Sequence, residues 1–338
     1  MDEFVHRTLT KNPSAEDEIS IDKIIHHLPS KFSLKIILIL ILLIVIQTFL
    51  PGCQANEKTI SLAFLGDIMV GRGVTLESNS LTTITPILLK ADLALANLES
   101  PLTSEPPIPG GGFNLCAFPE NANVFHATGL DILAINNNHS LDCGIKGRQE
   151  TITNLQKSGI EAIDPQGYTT TINDFKLAFF AFNDIDSPVD IGKAVDLIHS
   201  KHADGYKVIV SIHWGMEYQA GESDRQHLLA AEFAKAGADI IWGHHPHVLQ
   251  PVEWLPGECS NSADKTSCSL VIYSLGNALF DQEGLADTRR SAVLTIILNE
   301  KGVIDIQATP FLIDPVHSSL RIPDELTSAL ILARLHLP

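Results

Sequence analysis

The sequence has few basic residues and no visible internal repeat. Lysine and arginine total 23 against 40 aspartates and glutamates, which gives a formal net charge of -17 over 338 residues. Sequence-independent binding to nucleic acid needs a basic face that replaces phosphate counterions, so nucleic acid is excluded as an expected partner. The first 35 residues hold six acidic and five basic residues, so the acidity belongs to the rest of the chain. With 45% hydrophobic and 19% charged residues, the composition is that of a globular protein and excludes a disordered one.

Only one long hydrophobic run is present, Ile36–Leu50, in which Gln47 and Thr48 are the only polar residues. A membrane-spanning helix needs about 20 apolar residues, so the run is short for that purpose. Lys31 and Lys35 precede it, and a basic flank before a short apolar stretch is typical of an export signal. A retained signal anchor and a buried core helix are the two alternatives.

The apolar run is followed by Leu50-Pro51-Gly52-Cys53, which resembles a bacterial lipoprotein cleavage box with Cys53 as the lipidated residue. With the basic flank inside, the body is expected at the extracytoplasmic face of the cell membrane, held there by a signal anchor or a lipid. The predicted division is a cytoplasmic or cleaved leader over 1–35, a signal or anchor segment over 36–50, a linker over 51–58, a main domain over 59–316 and a C-terminal helix or tail over 317–338.

The four remaining cysteines are an even number, as expected for an exported body. Cys259 and Cys268 flank a polar loop that a disulfide could close. Cys116 and Cys143 could also pair, and four free thiols are the alternative that the sequence leaves open.

From Thr59 onward, short aliphatic runs alternate with helix-like stretches, which predicts an α/β fold whose sheet is covered on both faces. The predicted strands are Ile60–Leu65, Leu93–Asn97, Ile132–Ile135, Leu177–Phe182, Val208–Ile212, Ile240–Trp242 and Leu270–Tyr273. The predicted helices are Leu81–Leu89, Lys146–Ser158, Asp190–His202 and Asp224–Ala236. A β-hairpin is expected from Ala292–Leu298 and Val303–Ile306, and an amphipathic helix from Asp324–Leu335.

Polar residues cluster just after five of these strands, at the edge where α/β sheets bind ligands. They are Asp67, Glu99, Asn138 with His139, His213 with Glu217, and His245 with His247. Taken singly, each could be a turn residue or a histidine satisfied in the core. Together, carboxylate, amide and imidazole groups suit one or two divalent ions such as Mn, Zn or Fe.

The ordered set of motifs resembles the CapA family of bacterial capsule synthesis proteins, which is associated with poly-γ-glutamate. The matching segments are Gly66-Asp67 with Met69 and Arg72, Asn97-Leu98-Glu99, Asn137-Asn138-His139 with Asp142-Cys143-Gly144, His213-Trp214-Gly215 with Glu217-Tyr218, His245-Pro246-His247-Val248, and Tyr273-Ser274-Leu275-Gly276-Asn277 with Phe280-Asp281. The resemblance covers roughly residues 59–310.

That family resembles in turn the calcineurin-like metallophosphoesterases, which implies a layered sandwich of two sheets between helices around two metals. The implied ligands are Asp67 and His247 for one metal, Glu99 as the bridging carboxylate, and Asn138, His213 and His245 for the second metal. His139 is implied as the proton donor to the leaving group. Arg72 would stabilise developing negative charge, and Glu217 would orient His213 or act as a base.

One position departs from the phosphoesterase pattern, because Met69 stands where that pattern has a histidine. A thioether is a poor ligand for a hard cation. Two functions are therefore carried forward. The first is an exported, membrane-attached, metal-dependent hydrolase that takes part in the synthesis or export of a capsule polymer such as poly-γ-glutamate, with a phosphoester or the anionic envelope polymer as its substrate. The second is a non-catalytic assembly or polymer-binding factor that serves a membrane synthase complex.

Overall fold

The protein is described by a computed structural model over residues 57–72, 74–105, 114–256, 268–282, 284–314, 316 and 318–337. These residues belong to a compact unit that begins at Glu57. The predicted leader and apolar segment, together with Cys53 and Cys259, lie outside the described residues. In the described part of the chain, no helix is long and apolar enough to cross a membrane.

The described chain alternates strands with helices. The strands are β1 Ile60–Ile68, β2 Leu93–Leu98, β3 Ile132–Ala134, β4 Glu161–Ile163, β5 Tyr168–Ile172, β6 Phe175–Asn183, β7 Lys207–His213, β8 Ile240–His244, β9 Val252–Leu255, β10 Ser269–Ile272, β11 Asn277–Leu279, β12 Arg290–Asn299, β13 Gly302–Asp314 and β14 Ser319–Arg321. The helices are α1 Thr85–Leu88, α2 Asn121–Ala127, α3 Gly144–Lys157, α4 Ile191–Ala203, α5 Asp224–Ala236 and α6 Glu325–Leu335, with a 3-10 turn at Ala286–Arg289.

Two sheets carry the fold. In the first, the strand order is β14-β13-β12-β1-β2-β3-β4, and β11 pairs with β1 beyond the end of β12. In the second, the order is β5-β6-β7-β8-β10-β9. The central strands β1 to β4 run parallel to one another, as do β6, β7, β8 and β10. The carboxyl ends of the parallel strands in each sheet therefore meet at one edge.

The two sheets pack face to face, and helices cover their outer faces. One buried cluster lies between the sheets, where the Phe64 and Trp242 rings meet edge to face at 5.3 Å and Trp242 Nε1 donates to the Leu65 carbonyl at 2.9 Å. A second cluster joins the outer face of the first sheet to α2 and α3, and includes Phe125. A third joins the second sheet to α4 and α5, and includes Phe233. This helix–sheet–sheet–helix layering is the architecture predicted from the sequence.

A single glycine sets the position of the first site residue. A Cβ on Gly66 would lie 1.8 Å from the Gly276 carbonyl oxygen, so only glycine permits this approach. The neighbouring Asp67 amide donates to that same oxygen at 2.9 Å. The contact places β11 beside the end of β1, with Asn277 opposite Asp67.

The seven predicted strands are confirmed, with ends shifted by one to three residues. The C-terminal hairpin is confirmed as well, but its second strand β13 continues to Asp314, eight residues beyond the predicted end. Helix α5 begins and ends at the predicted residues, and Asp324 is the N-cap of α6. The helix predicted over Leu81–Leu89 is wrong in extent, since only Thr85–Leu88 is helical. A run of β-branched residues and a proline early in α1 account for the shortening. Short strands β4, β5, β9, β11 and β14 were not predicted.

The disulfide pattern is partly described. Cys116 and Cys143 form a disulfide, which settles the pairing that the sequence left open. Cys268 is also disulfide-bonded, whereas the predicted partner Cys259 lies outside the described residues. The first disulfide fixes the segment before α2 to the N-terminus of α3, next to Asp142 and the predicted proton donor His139.

Candidate metal centre

Asp67 lies at the centre of a buried polar cluster at the end of β1. Asn97 Nδ2 donates to its Oδ1 at 2.8 Å, and the His245 amide donates to its Oδ2 at 3.1 Å. His244 Nδ1 lies 3.1 Å from Oδ1, and His247 Nδ1 lies 3.5 Å from Oδ2. Burial alone raises the pKa of Asp67, but the contacts with the two histidines outweigh it and hold the pKa well below its ordinary value.

Glu99, the first residue after β2, is the second buried carboxylate. Its Oε1 accepts from Asn97 Nδ2 at 3.3 Å and lies 3.8 Å from His213 Nε2. Its Oε2 is buried without a hydrogen-bond partner among the described residues. Burial, followed by repulsion from Asp67, raises the pKa of Glu99 well above its ordinary value. The surroundings therefore lower the pKa of Asp67 and raise the pKa of its neighbour Glu99.

Three histidines complete the cluster. The rings of His213 and His245 have centroids 4.9 Å apart, and those of His245 and His247 are 5.8 Å apart. Burial lowers the pKa of His213 well below its ordinary value, and burial together with the charge of His247 lowers that of His245 to about 4. Burial also lowers the pKa of His247, but Glu99 and Asp67 outweigh it and raise the pKa to about 9.

The backbone around the cluster is held in an uncommon conformation. His245 and His247 have φ angles of 93° and 58°, and Arg72 and Tyr218 have φ angles of 50° and 63°. Non-glycine residues adopt this left-handed region at a cost of about 1–3 kcal/mol each, and such residues concentrate at functional sites. The turn after β8 therefore holds its two imidazoles in fixed positions at that cost.

The donor atoms fit a metal ion. Ligand atoms of Asp67, Glu99 and His247 lie within 4.8 Å of one another, as do those of Glu217, His245 and His247. Three predicted ligand atoms are buried without a hydrogen-bond partner in the described part of the chain: Glu99 Oε2, Asn138 Oδ1 and His213 Nε2. Buried polar atoms without partners are rare and costly. A cation is the kind of partner that all three atoms would accept.

The predicted catalytic residues lie at the rim of this cluster. His139 Nδ1 is 3.1 Å from Asp142 Oδ2, and that oxygen also accepts from the Leu115 amide at 3.1 Å. Arg72 pairs with Asp281 at 2.5 Å, and its guanidinium carbon lies 5.6 Å from the centre of the Phe280 ring.

Glu217 lies beside two of the predicted ligands. A ligand atom of its carboxylate lies within 4.8 Å of those of His245 and His247. The two roles expected of it, orienting His213 or acting as a base, both stay predictions. Its side chain is exposed, so it lies on the open side of the cluster.

Three residues of the cluster were not predicted as site residues: Asn97, His244 and Asn277. Asn97 and Asn277 lie in motifs noted in the sequence, and His244 comes directly before one. Asn97 contacts both buried carboxylates, and its Oδ1 accepts from Asn137 at 3.2 Å. Asn277 Oδ1 lies 2.9 Å from His247 Nδ1, so this nitrogen carries the proton and Nε2 is the atom available to a metal. Their position at the ends of β2, β8 and the start of β11 was the available signal.

The fold and the cluster define a layered α/β protein with a buried candidate metal centre at the carboxyl ends of its strands. Residues 61–282 match the family described as bacterial capsule synthesis protein PGA_cap. The chain belongs to this family, as the order of its motifs predicted.

Curated relatives agree with this assignment. The chain is 31% identical to the PGA biosynthesis protein CapA of Bacillus subtilis, over 75% of this chain and 72% of the relative. It is 30% identical to the capsule biosynthesis protein CapA of Bacillus anthracis, over 79% of this chain and 72% of the relative. A probable polyglutamine synthesis accessory protein of Mycobacterium tuberculosis is 24% identical over 57% of each chain.

Among solved structures, TT1561 of Thermus thermophilus matches with a TM-score of 0.39 and 12% identity, covering 72% of this chain and all of the other.

Proposed function

We propose that this chain is an exported, membrane-attached, metal-dependent hydrolase that acts in the synthesis or export of an anionic capsule polymer of the poly-γ-glutamate type. The observation that carries the proposal is the set of buried ligand atoms without partners among the described residues, Glu99 Oε2, Asn138 Oδ1 and His213 Nε2. Family membership supports the capsule role, since the two Bacillus relatives are named for capsule and PGA biosynthesis.

Asp67, Glu99 and His247, whose ligand atoms lie within 4.8 Å of one another, would hold one ion. For a second ion, the family resemblance implies Asn138, His213 and His245 as ligands, with Glu99 as the carboxylate shared by both ions. A divalent ion such as Mn, Zn or Fe held there would supply a Lewis acid for a phosphoryl or acyl oxygen and would lower the pKa of a water molecule.

The residues at the rim then handle protons and charge. Asp142 accepts from His139 Nδ1 and fixes the ring, so Nε2 is the atom that would pass a proton to the leaving group. Arg72 is held by Asp281 at the rim, where a guanidinium stabilises an anionic group of the substrate.

One observation favours the second function, a non-catalytic assembly or polymer-binding factor. Met69 is fully buried, and its sulfur accepts a hydrogen bond from the Gly71 amide at 3.2 Å. A thioether at this position leaves the first ion with fewer good ligands. Such a protein would bind metal without turnover and act through a membrane synthase complex.

The deciding experiment measures metal content and turnover of the full-length chain with Asn138→Ala and His245→Ala beside it. His227→Ala is the matched control, since His227 is a half-exposed histidine outside the cluster. Turnover of a phosphodiester or a γ-glutamyl substrate that disappears in both site variants and persists in the control supports the hydrolase. Metal binding without turnover in the wild type supports the assembly factor, and absence of metal binding overturns both versions of the site.

A gain-of-ligand variant sharpens the comparison. Met69→His should raise the number of bound metal equivalents if Met69 is what weakens the first site. An unchanged stoichiometry would show that this position does not face the ion.

Attachment to the membrane is proposed from the apolar run and Cys53. Cys53→Ser should release the protein from the membrane fraction if a lipid holds it. Retention of the variant there would favour the uncleaved anchor instead.

A further inference from the structure

Helix α6 has two apolar faces, of which one is buried and the other is exposed. Ile331 and Leu335 on the inner face are fully buried and belong to the cluster between the two sheets. Residues three and four apart lie on the same side of a helix, so the apolar residues of the outer face form one continuous stripe. This outer stripe consists of four exposed residues: Leu326, Ala329, Leu330 and Ala333.

The outer stripe differs from the isolated apolar residues that every protein surface carries. Leu326 is 73% exposed and Leu330 is 51% exposed, although the two lie one helical turn apart. Isolated exposed leucines need no explanation, whereas contiguous exposed apolar residues mark a site of interaction. The outer stripe is therefore suited to contact with a partner.

A pocket of about 110 Å³ lies beside the outer stripe. Pockets for small molecules measure about 300–1,000 Å³, so this one has room for a single side chain. Four of its seven lining residues are aliphatic, which favours an aliphatic side chain as the occupant. The α6 wall consists of Leu330, Ile331 and Arg334, and the facing wall of Val248, Leu249, Asp287 and Arg290.

The charges at the two ends of α6 indicate the nature of the partner. The first turn is acidic, with Asp324 and Glu325 exposed, and the last turn carries Arg334. A second α6 that runs antiparallel would bring the acidic end of each helix to the basic end of the other, and the two helix dipoles would also oppose each other.

The same charges disfavour a membrane surface as the partner. Helices that lie on membranes are rich in lysine and arginine on their polar face, and anionic lipids repel acidic residues. Arg334 is the only basic residue in α6. One of its nitrogens lies 3.3 Å from Asp287, but its side chain is 48% exposed and a guanidinium has five donors, so it can also contact a partner.

We propose that two copies of this chain pair through the outer stripe of α6, with the helices antiparallel and a two-fold axis passing between Ala329 and Leu330. Such an interface is self-complementary, so every contact occurs twice. Glu325 lies opposite the partner's Arg334, and Leu326 enters the partner's pocket beside Leu330. The alanines of the stripe are small and let the two helices approach closely.

The dimer is expected to be weak. Helix α6 has 11 residues and is therefore about 16 Å long. A standard interface buries about 800 Å² per partner and involves about 20–30 residues on each side, so α6 alone gives an interface of the transient class. The proposal depends neither on the metal centre nor on the proposed function.

The test is sedimentation equilibrium of the full-length chain over a wide range of protein concentrations. Leu326→Ser should raise the dimer Kd about a hundredfold, because the apolar contact is lost at both ends of the interface. The exposure of Leu326 means that the variant should fold normally. Ile145→Ser is the matched control, since Ile145 is 82% exposed but lies on α3, and it should leave the Kd unchanged.

A charge exchange tests the antiparallel arrangement. Glu325→Arg should weaken the dimer, and the added change Arg334→Glu should restore it, because the two positions face each other only across the two-fold axis. Melting temperatures of both variants check the fold, since Arg334→Glu also loses the contact with Asp287.

Disulfide trapping gives an independent readout. Leu330→Cys should form a covalent dimer on mild oxidation because the two copies of this residue meet near the axis, whereas Ala203→Cys, an exposed position at the end of α4, should not. A chain that stays monomeric at every concentration, or an association that Leu326→Ser and Ile145→Ser change equally, would overturn the proposal. Binding to anionic lipid vesicles that Leu326→Ser abolishes, without any dimer, would assign the stripe to a membrane and would also overturn it.

Discussion

Glu99 is expected to make the protein less stable in the absence of metal, so Glu99→Gln should stabilise the metal-free chain. The folded-state pKa of Glu99 lies above that of the unfolded chain, because burial and Asp67 disfavour its charge. The folded protein therefore holds this proton more tightly and loses stability as the pH rises above the ordinary value of 4.5. Glutamine keeps the shape of the side chain and removes the charge.

The size of the gain follows from the same linkage. Keeping a carboxyl of ordinary pKa 4.5 protonated at pH 7 costs about 1.4 kcal/mol for each pH unit between the two values, so Glu99→Gln gains at most about 3 kcal/mol at pH 7. The gain should vanish as the pH falls to 4.5. For a protein of this size, each kcal/mol corresponds to a rise of about 2–4 °C in the melting temperature.

Excess metal should reverse the order of stability, so that the wild type becomes more stable than Glu99→Gln. A ligand at 100 times its Kd stabilises the folded protein by about 2.7 kcal/mol, and the variant lacks a carboxylate that we propose as a metal ligand. Thermal unfolding of the full-length chain in EDTA and in excess Mn or Zn, at pH 7 and pH 4.5, measures both effects. A variant that is less stable than the wild type in EDTA at pH 7, or that keeps the full metal-induced shift, would refute the reasoning.

Two other carboxylates serve as comparisons. Asp67→Asn should destabilise the metal-free protein by about 1–3 kcal/mol, since Asn97 and the His245 amide both donate to Asp67 and an amide nitrogen would face a donor. Asp239→Asn should also destabilise, because its carboxylate accepts from Lys207, but it should leave the metal response unchanged. Two further predictions concern the frame of the site. Replacing Cys116 and Cys143 by serine should lower the free energy of unfolding by about 3–4 kcal/mol, which is the chain-entropy value for a loop of 27 residues. Urea denaturation measures this loss, and an unchanged midpoint of the unfolding transition would contradict a structural role for the disulfide. Gly66→Ala should destabilise by about 1–3 kcal/mol or more, because its Cβ would meet the Gly276 oxygen. Gly221→Ala is the control, because a Cβ at Gly221 meets nothing within 4 Å. If the Gly66→Ala and Gly221→Ala variants had the same melting temperature, the close contact at Gly66 would not explain the loss of stability.

Local patterns in the sequence determined much of the fold. Continuous apolar runs such as Ile60–Leu65 favour strands buried on both faces, so they predict an α/β sheet covered on both sides. The arrangement of two sheets between helices was implied by the family resemblance. Asp224–Ala236 carries its own capping residues, with Ser223 and Gln226 forming a capping box, and its ends follow from local chemistry. The five strand ends also identified the candidate ligands, because parallel strands bring their carboxyl ends to one edge.

Only the tertiary structure decided which polar side chains are satisfied and which are not. Asn97 and Asn277 lie in motifs noted in the sequence, but their roles come from the register that sets both beside Asp67. The opposite pKa shifts of Asp67 and Glu99 likewise depend on which histidines lie near each carboxylate. The sequence by itself determined the layers and the residue types at the sheet edge, since periodicity and caps are local. The pairing of Cys116 with Cys143 and the contacts among Asn97, Asp67 and the histidines arise between segments far apart in the chain, and only folding brings those segments together.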